Sequence, residues 1–234
     1  MIYQYAKKTS YEFLAAGSVI YGHPRSTNFP VRLGQEIFHR CLRYRDKKNL
    51  LSIYDPCCGT GYLLTTLGIL NAGLIDSISG TDINAMHLNI ATKNLSLLSP
   101  EGLDGRQHEL EILQQRYQKD SHLDALKSLQ EIRGLVITNP KVNIYLTERN
   151  ILSTSHELKK IFDLVITDVP YSQLVDWNGA GGIDEMLNNL LLNINERSII
   201  AIVHDKKQKI SNQYFRRLEK FQIGKRVVEI LIKK

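Results

Sequence analysis

The sequence predicts an α/β fold in which a central, mostly parallel sheet carries helices on both faces. Three observations predict it. Apolar runs of strand length alternate along the chain with stretches of helical periodicity. The run LLSIYD (50–55) lacks polar alternation, as expected of a strand buried on both faces. Stretches rich in acids, glycine and proline stand where such runs end, and ligands of such sheets sit at the carboxyl ends of the strands.

The elements follow in order. Near the start, Lys7 and Lys8 precede FLAAGSVI, a short apolar stretch like a signal-peptide core. Glu12 interrupts it and no cleavage site follows, so it reads as the first helix of a cytoplasmic protein. EIFHRCLRYR (36–45) has apolar residues at helical spacing. After LLSIYD, residues 62–72 read as a helix closed by Asn71 and Gly73. A strand over 74–80 leads into GTDIN, and a helix over 84–98 is stopped by Pro100. Residues 101–134 are polar and helical in pattern, with a second helix over 122–132; this insertion either contacts substrate or caps the fold. Then come a strand at 142–146, a short helix near 155–161, a strand at 162–167, a helix at 184–193 and a strand at 198–203. KRVVEILIK (225–233) is β-rich. The chain reads as a single domain over 1–234, with residues 1–48 a helical extension.

Composition narrows the class. With 234 residues, 43% hydrophobic and 23% charged, the chain can bury one substantial core. No apolar run approaches the roughly eighteen residues of a membrane span. Three cysteines suggest no disulfide framework. Cys57 and Cys58 are adjacent and poorly spaced to chelate one metal, so small buried residues are expected and no metal site. Charge is uneven: residues 1–50 hold nine Lys and Arg against three acids, residues 201–234 ten against three, and the middle is acidic. Folded onto one face, the two ends would suit phosphate backbones; the alternative is a set of solvated lysines.

DPCCGTGYLL (55–64) lacks the Lys-Ser or Lys-Thr of a phosphate-binding loop, and Leu64 replaces the third glycine of a dinucleotide fingerprint. A ligand without phosphates fits better. Asp55 suits a cationic amine. Gly59 and Gly61 let backbone approach a ribose, and the N–H groups opening the next helix suit a carboxylate. Asp82, closing the second strand, can accept from both ribose hydroxyls, although alone it could equally be a helix cap. A ligand with an amine, a carboxylate, a ribose and no phosphate is S-adenosylmethionine (S-adenosyl-L-methionine). Asn150, after the third strand, could meet the adenine edge or simply make a turn.

Asp168-Val169-Pro170-Tyr171 is close to the Asn/Asp-Pro-Pro-aromatic pattern of enzymes that methylate exocyclic amines. The lone pair of an aromatic amine is delocalised. Asp168 and a carbonyl near Pro170 could accept both N–H groups and turn that lone pair toward a methyl donor, with proline fixing the turn. Tyr171 could stack on the base, worth roughly 1–3 kcal/mol. A sulfonium methyl is already activated, so rate would come from alignment and charge placement. A packed tyrosine in a strand-end turn is the bland alternative.

The order DPCCGTGYLL, TDIN, NLSLLSPEGL, a polar insertion and TDVPY resembles the class I methyltransferases, and more narrowly the avilamycin-resistance family of 23S rRNA (guanine) methyltransferases. The similarity extends to GHPRSTNFPVRLGQEIF (22–38), the Trp177 loop and IVHDKKQKI (202–210). It implies a Rossmann-like fold with a seven-stranded sheet, S-adenosylmethionine as donor, 23S rRNA as partner, a guanine amino group as target, a link to orthosomycin resistance, and a monomer. It places Asp55, Cys57, Gly59, Gly61, Asp82, Ile83 and Asn150 around the cofactor. FPVRL (29–33) would lie across it, with Arg32 a partner of its carboxylate or a surface ion pair. Asp168, Pro170 and Tyr171 fall on the target. His23, Trp177 and the loop WNGAGG (177–182) could close over a flipped base, or Trp177 could equally be a packed side chain. Val169, where many amine methylases have a second proline, leaves the acceptor atom open. The alternatives are a small-molecule or protein methyltransferase, or a catalytically silent RNA-binding module.

Overall fold

The structure, a computed structural model, describes residues 3–24, 28–138, 141–153, 158, 160–170 and 182–234. Seven strands among them form one sheet: β1 (Leu51–Asp55), β2 (Ile75–Asp82), β3 (Asn143–Glu148), β4 (Leu164–Asp168), β5 (Ile199–Asp205), β6 (Phe215–Ile223) and β7 (Arg226–Lys233). Their order is β3-β2-β1-β4-β5-β7-β6. β1 to β5 run parallel, and β7 enters antiparallel between β5 and β6. The order reverses between β1 and β4, so the tips of those two strands flank the crevice where α/β sheets take ligands.

Six α-helices among the described residues cover the sheet: α1 (Val31–Arg43), α2 (Tyr62–Asn71), α3 (Ala85–Ser96), α4 (Pro100–Tyr117), α5 (Asp120–Ile137) and α6 (Gly182–Leu190). Leu33 and Ile37 of α1, Leu64 of α2, Leu95 of α3, Leu103 of α4 and Leu129 of α5 share one core with Ile53, Ile78 and Leu164. On the opposite face Met186, Leu187 and Leu190 of α6 pack on Tyr54, Val165 and Ile200. Caps set the helix starts. Asn84 accepts from the N–H groups of Met86 and His87, and Ser99 from that of Gly102. Pro100 therefore opens α4 as its first residue, where its missing N–H costs nothing; α3 has already ended at Ser96.

The mostly parallel sheet agrees with the sequence, with two departures. FLAAGSVI is not a helix. Glu12–Leu14 makes one 3-10 turn, Gly17 adopts φ +86, and Ala16 bridges Ile20. Gly17-Ser18 and the β-branched Val19 and Ile20 disfavour helix. Leu14, Val19 and Ile20 are instead buried as a strap, whose Ser18 and Val19 carbonyls accept from Arg106 of α4. The second departure is β6, which the reading of the residues did not place. It is an edge strand bearing Arg216, Arg217, Glu219 and Lys220, with an irregularity between Arg217 and Glu219. Charges on an exposed edge guard against edge-to-edge pairing and erase the apolar signature of a strand. The helix expected near 155–161 falls largely outside the described residues.

The two basic ends meet. Arg40 of α1 pairs with Glu36 at 2.7 Å and with Glu219 of β6, and its guanidinium lies 4.2 Å from the Phe221 ring centroid. Glu36 in turn accepts the N–H groups of Gln4, Tyr5 and Ala6, each at 2.8 Å, fixing the start of the chain on α1. No helix among the described residues is long and apolar enough to cross a membrane.

Candidate active site at the tips of β1, β2 and β4

β1 ends on Asp55, which is buried; its Oδ1 accepts the Cys57 N–H at 3.0 Å. From there the chain turns sharply. Cys58 donates its N–H to Thr81 O, and Gly59 donates to Asp82 Oδ2 at 2.8 Å, lashing the loop to the tip of β2. Gly59 (φ +52) and Gly61 (φ +71) take left-handed conformations that side chains disfavour. A Cβ on Gly61 would lie 3.0 Å from Ala91 Cβ, so α2 and α3 come together over that glycine. Gly61→Ala is expected to cost about 1–3 kcal/mol of stability in urea denaturation. Gly105→Ala, facing open space within α4, is expected to gain about 0.5–1 kcal/mol.

Burial pushes the Asp55 carboxyl up to about 7, and the carboxylates of Asp168 and Asp82 add to the effect. Three acids thus converge on one crevice, an arrangement that favours a cation. Burial, with Asp55 and Asp82 adding, raises the Cys57 and Cys58 thiols, so neither is a ready thiolate. Among the described residues all three cysteines are free, and no group of His, Cys, Asp or Glu could hold a metal ion.

Asp82 is held on both oxygens, by Gly59 N–H and by Asn84 N–H at 2.9 Å. His87 Nδ1 stands 3.9 Å from Oδ1, and the His87 ring meets that of His23 edge-on at 5.3 Å. His23 therefore lies at the Asp82 corner of the crevice. Ile83, just past the strand, is 45% exposed, an apolar surface beside that corner. Asn150 Oδ1 accepts the Leu152 N–H at 2.9 Å, the geometry of a turn. Arg32 donates to Ala6 O from Nε and Nη2 and stacks on Tyr3 at 4.0 Å, so in this structure it ties down the N-terminal segment.

Asp168 ends β4. Val169 donates its N–H to Val203 O at 3.0 Å, and Pro170 O accepts from Gln208 Nε2 at 2.9 Å. Tyr171 and Trp177 lie outside the described residues. The structure adds Asn94, fully buried on α3, which sequence reasoning missed. Its amide accepts from Tyr21 N–H and donates to Tyr21 O and Thr60 O, joining strap and glycine loop. An asparagine inside a helical pattern carries no local signal for bonds to residues 73 and 34 positions away.

Comparison with known proteins bears directly on this site. A 23S rRNA (guanine(2535)-N(1))-methyltransferase of Streptomyces viridochromogenes is 32% identical over 221 residues, covering 91% of this chain and 88% of that protein. The structure of the rRNA methyltransferase aviRa from the same organism superposes with a TM-score of 0.88 at 27% identity, covering 100% of this chain and 96% of that one. TrmN from Thermus thermophilus, at 11% identity, TM-score 0.54, and covering 90% of this chain and 51% of that one, shares the fold. A family model described as rRNA methyltransferase AviRa matches residues 1–226. The chain belongs to the AviRa family of rRNA methyltransferases.

Proposed function

We propose that this protein, acting as a cytoplasmic monomer, transfers a methyl group from S-adenosylmethionine to a guanine of 23S rRNA, at ring nitrogen N1. The observation that carries this reading is the adjacency of β1 and β4. It brings Asp55 and Asp168 into one crevice, close enough for the charge of one to raise the pKa of the other. The sequence pattern pointed to an exocyclic amine. The Streptomyces relative is named for N1, and the reading for this chain follows that relative.

The crevice fits the donor. A Cβ on Gly59 would face open space, leaving backbone exposed to a ligand. Asp55 would hold the amine, Asp82 the ribose hydroxyls, and Ile83 one face of the adenine. When bound, S-adenosylmethionine supplies a methyl on a positively charged sulfur, which departs as a neutral thioether.

Asp168 has the remaining work. Guanine N1 carries one hydrogen, and its in-plane lone pair becomes available only when that proton leaves. Asp168 would accept the N1–H hydrogen bond and then the proton; the negative charge left on the base is shared between N1 and the carbonyl oxygen, and it is neutralised as N1 takes the methyl from the sulfonium. The exposed lysines and arginines of the chain's two ends would hold phosphates, giving salt-dependent affinity.

Incubation with labelled donor and 23S rRNA, naked or assembled into the large subunit, tests this. The expected product is labelled N1-methylguanosine; no label in either form would reject the reading. By the same reading, a methylase-free host expressing the protein is expected to gain tolerance to avilamycin-type orthosomycins.

A further inference from the structure

The methyl transfer uses none of the tyrosines gathered along α1, yet the chain holds them there. Glu36 is fully buried, and a buried carboxylate is costly unless its oxygens are satisfied. Arg40 and the successive N–H groups of Gln4, Tyr5 and Ala6 satisfy it, which fixes the first described residues along the helix. Tyr3 then lies with its ring centroid 4.0 Å from the guanidinium of Arg32, and Tyr5 lies 5.4 Å from Arg43 and 5.9 Å from Arg40. Tyr44, just past the helix, lies 6.0 Å from Arg43, and its hydroxyl donates to Glu219 at 3.2 Å. Tyr5 and Tyr44 are each 36% exposed. Lys7, Lys8, Arg43, Lys47 and Lys48 are exposed on the same two segments, with Glu12 and Asp46 the exposed acids nearest in the chain.

The direction of α1 ties these rings to the crevice. Phe29 precedes α1 by two residues, and the guanidinium of Arg226 lies 5.7 Å from its ring. Arg226 opens β7 opposite Asp205, the last residue of β5. At the other end Arg45 donates to the carbonyl of Asp163, just before β4. α1 therefore runs from the strand tips, where the crevice lies, to the far edge of the sheet, and Tyr3, Tyr5 and Tyr44 follow it in that order. Its thirteen residues make it about 20 Å long, which spans up to about six nucleotides of stacked strand at about 3.4 Å each. Exposed rings interleaved with cations are the chemistry that holds single-stranded nucleic acid: bases stack on the rings while cations meet the phosphates. A duplex keeps its base faces stacked inside and gains only the phosphate contacts. Resting on the guanine methylation proposed above, we propose that an unpaired stretch of 23S rRNA beside the target guanine lies along α1, its bases stacked on Tyr5 and Tyr44.

Tyr5→Leu and Tyr44→Leu remove a ring and keep apolar bulk; Tyr5→Phe and Tyr44→Phe keep the ring. Arg43→Gln removes one charge. The readouts are Kd across a range of salt for naked 23S rRNA, the assembled large subunit, an oligouridylate and a short RNA duplex, with thermal unfolding as the check on the fold. Each leucine variant is expected to bind naked rRNA and oligouridylate roughly 5- to 50-fold more weakly with its salt slope unchanged, while duplex affinity stays within about twofold. The phenylalanine variants are expected to stay within about twofold of wild type on every RNA, since the stacking face is kept. Arg43→Gln is expected to lower the salt slope by about 0.7, one phosphate of a single strand, and decides the matter if a leucine variant unfolds. Leucine variants that bind naked rRNA as wild type does, or that lose single strand and duplex alike, overturn the proposal. So does a loss confined to the assembled subunit, which would make this surface a contact for ribosomal protein. If wild type methylates no guanine, the proposed function fails, and the contrast between leucine and phenylalanine still tells whether α1 carries a single strand.

Discussion

Asp168→Asn is expected to lower turnover on 23S rRNA by roughly 10²–10³-fold, the range seen when one preorganised hydrogen-bonding group is lost from an active site. The substitution keeps the shape and an acceptor oxygen at the tip of β4 but cannot take a proton from guanine N1. Donor affinity is expected to stay within about twofold of wild type or to tighten slightly, because the negative charge of Asp168 holds the Asp55 carboxyl up. Single-turnover kinetics with saturating donor, alongside calorimetric titration of the donor alone, separate the two effects. Unchanged turnover would mean that the proton leaves by another route, and unchanged function without turnover would favour a silent RNA-binding module.

The second large effect is on pH. An unfolded Asp ionises near 3.8, whereas in the folded chain burial, with Asp168 and Asp82 adding, pushes Asp55 up to about 7. Between those values the folded chain holds a proton that the unfolded chain has released. Asp55 therefore subtracts from stability progressively as pH rises from about 4 to about 7, and its full cost is present above that window. A cationic amine reverses the preference, since it binds the ionised carboxylate. Affinity for S-adenosylmethionine is accordingly expected to fall about tenfold between pH 8 and pH 6, with close to one proton released on binding at the lower pH. Calorimetry in buffers of different ionisation enthalpy reads both quantities. Asp55→Asn is expected to bind weakly and with a flat pH profile; a flat profile in wild type would place the amine elsewhere.

Asp55 and Asp168 were legible as strand-end acids because each closes a strand whose burial is written in its own residues, whereas β2, IDSISGTD, is mostly polar and Asp82 was found from the strand-end pattern GTDIN. LSIYD and LVITD are apolar almost throughout, and in a parallel sheet such runs announce both strand and tip. The glycines at 59 and 61 were legible for the same local reason, since only a turn of positive φ calls for that spacing. What escaped were long-range bonds. Asn94 holds the strap 73 residues away and Gln208 holds Pro170 at a separation of 38, and no periodicity encodes a side chain reaching a distant carbonyl. β6 was illegible because its charges suit an exposed edge. FLAAGSVI misled because its apolar composition serves a buried strap as well as a helix. Arg32 reaches the Ala6 carbonyl 26 residues back, another long-range bond, while the Asn150 turn is local and a one-dimensional reading could not weigh it against a ligand.

The central claim is that the tips of β1 and β4 hold a methyl donor against a guanine edge. Reverse transcription across 23S rRNA from a methylase-free host tests it directly, because a methyl on N1 blocks the pairing edge of the base. With the wild-type protein one new stop is expected at a single guanosine, identified by mass spectrometry as N1-methylguanosine, and lost with Asp168→Asn. The absence of any new stop, or the same stop at full strength with Asp168→Asn, would contradict the account.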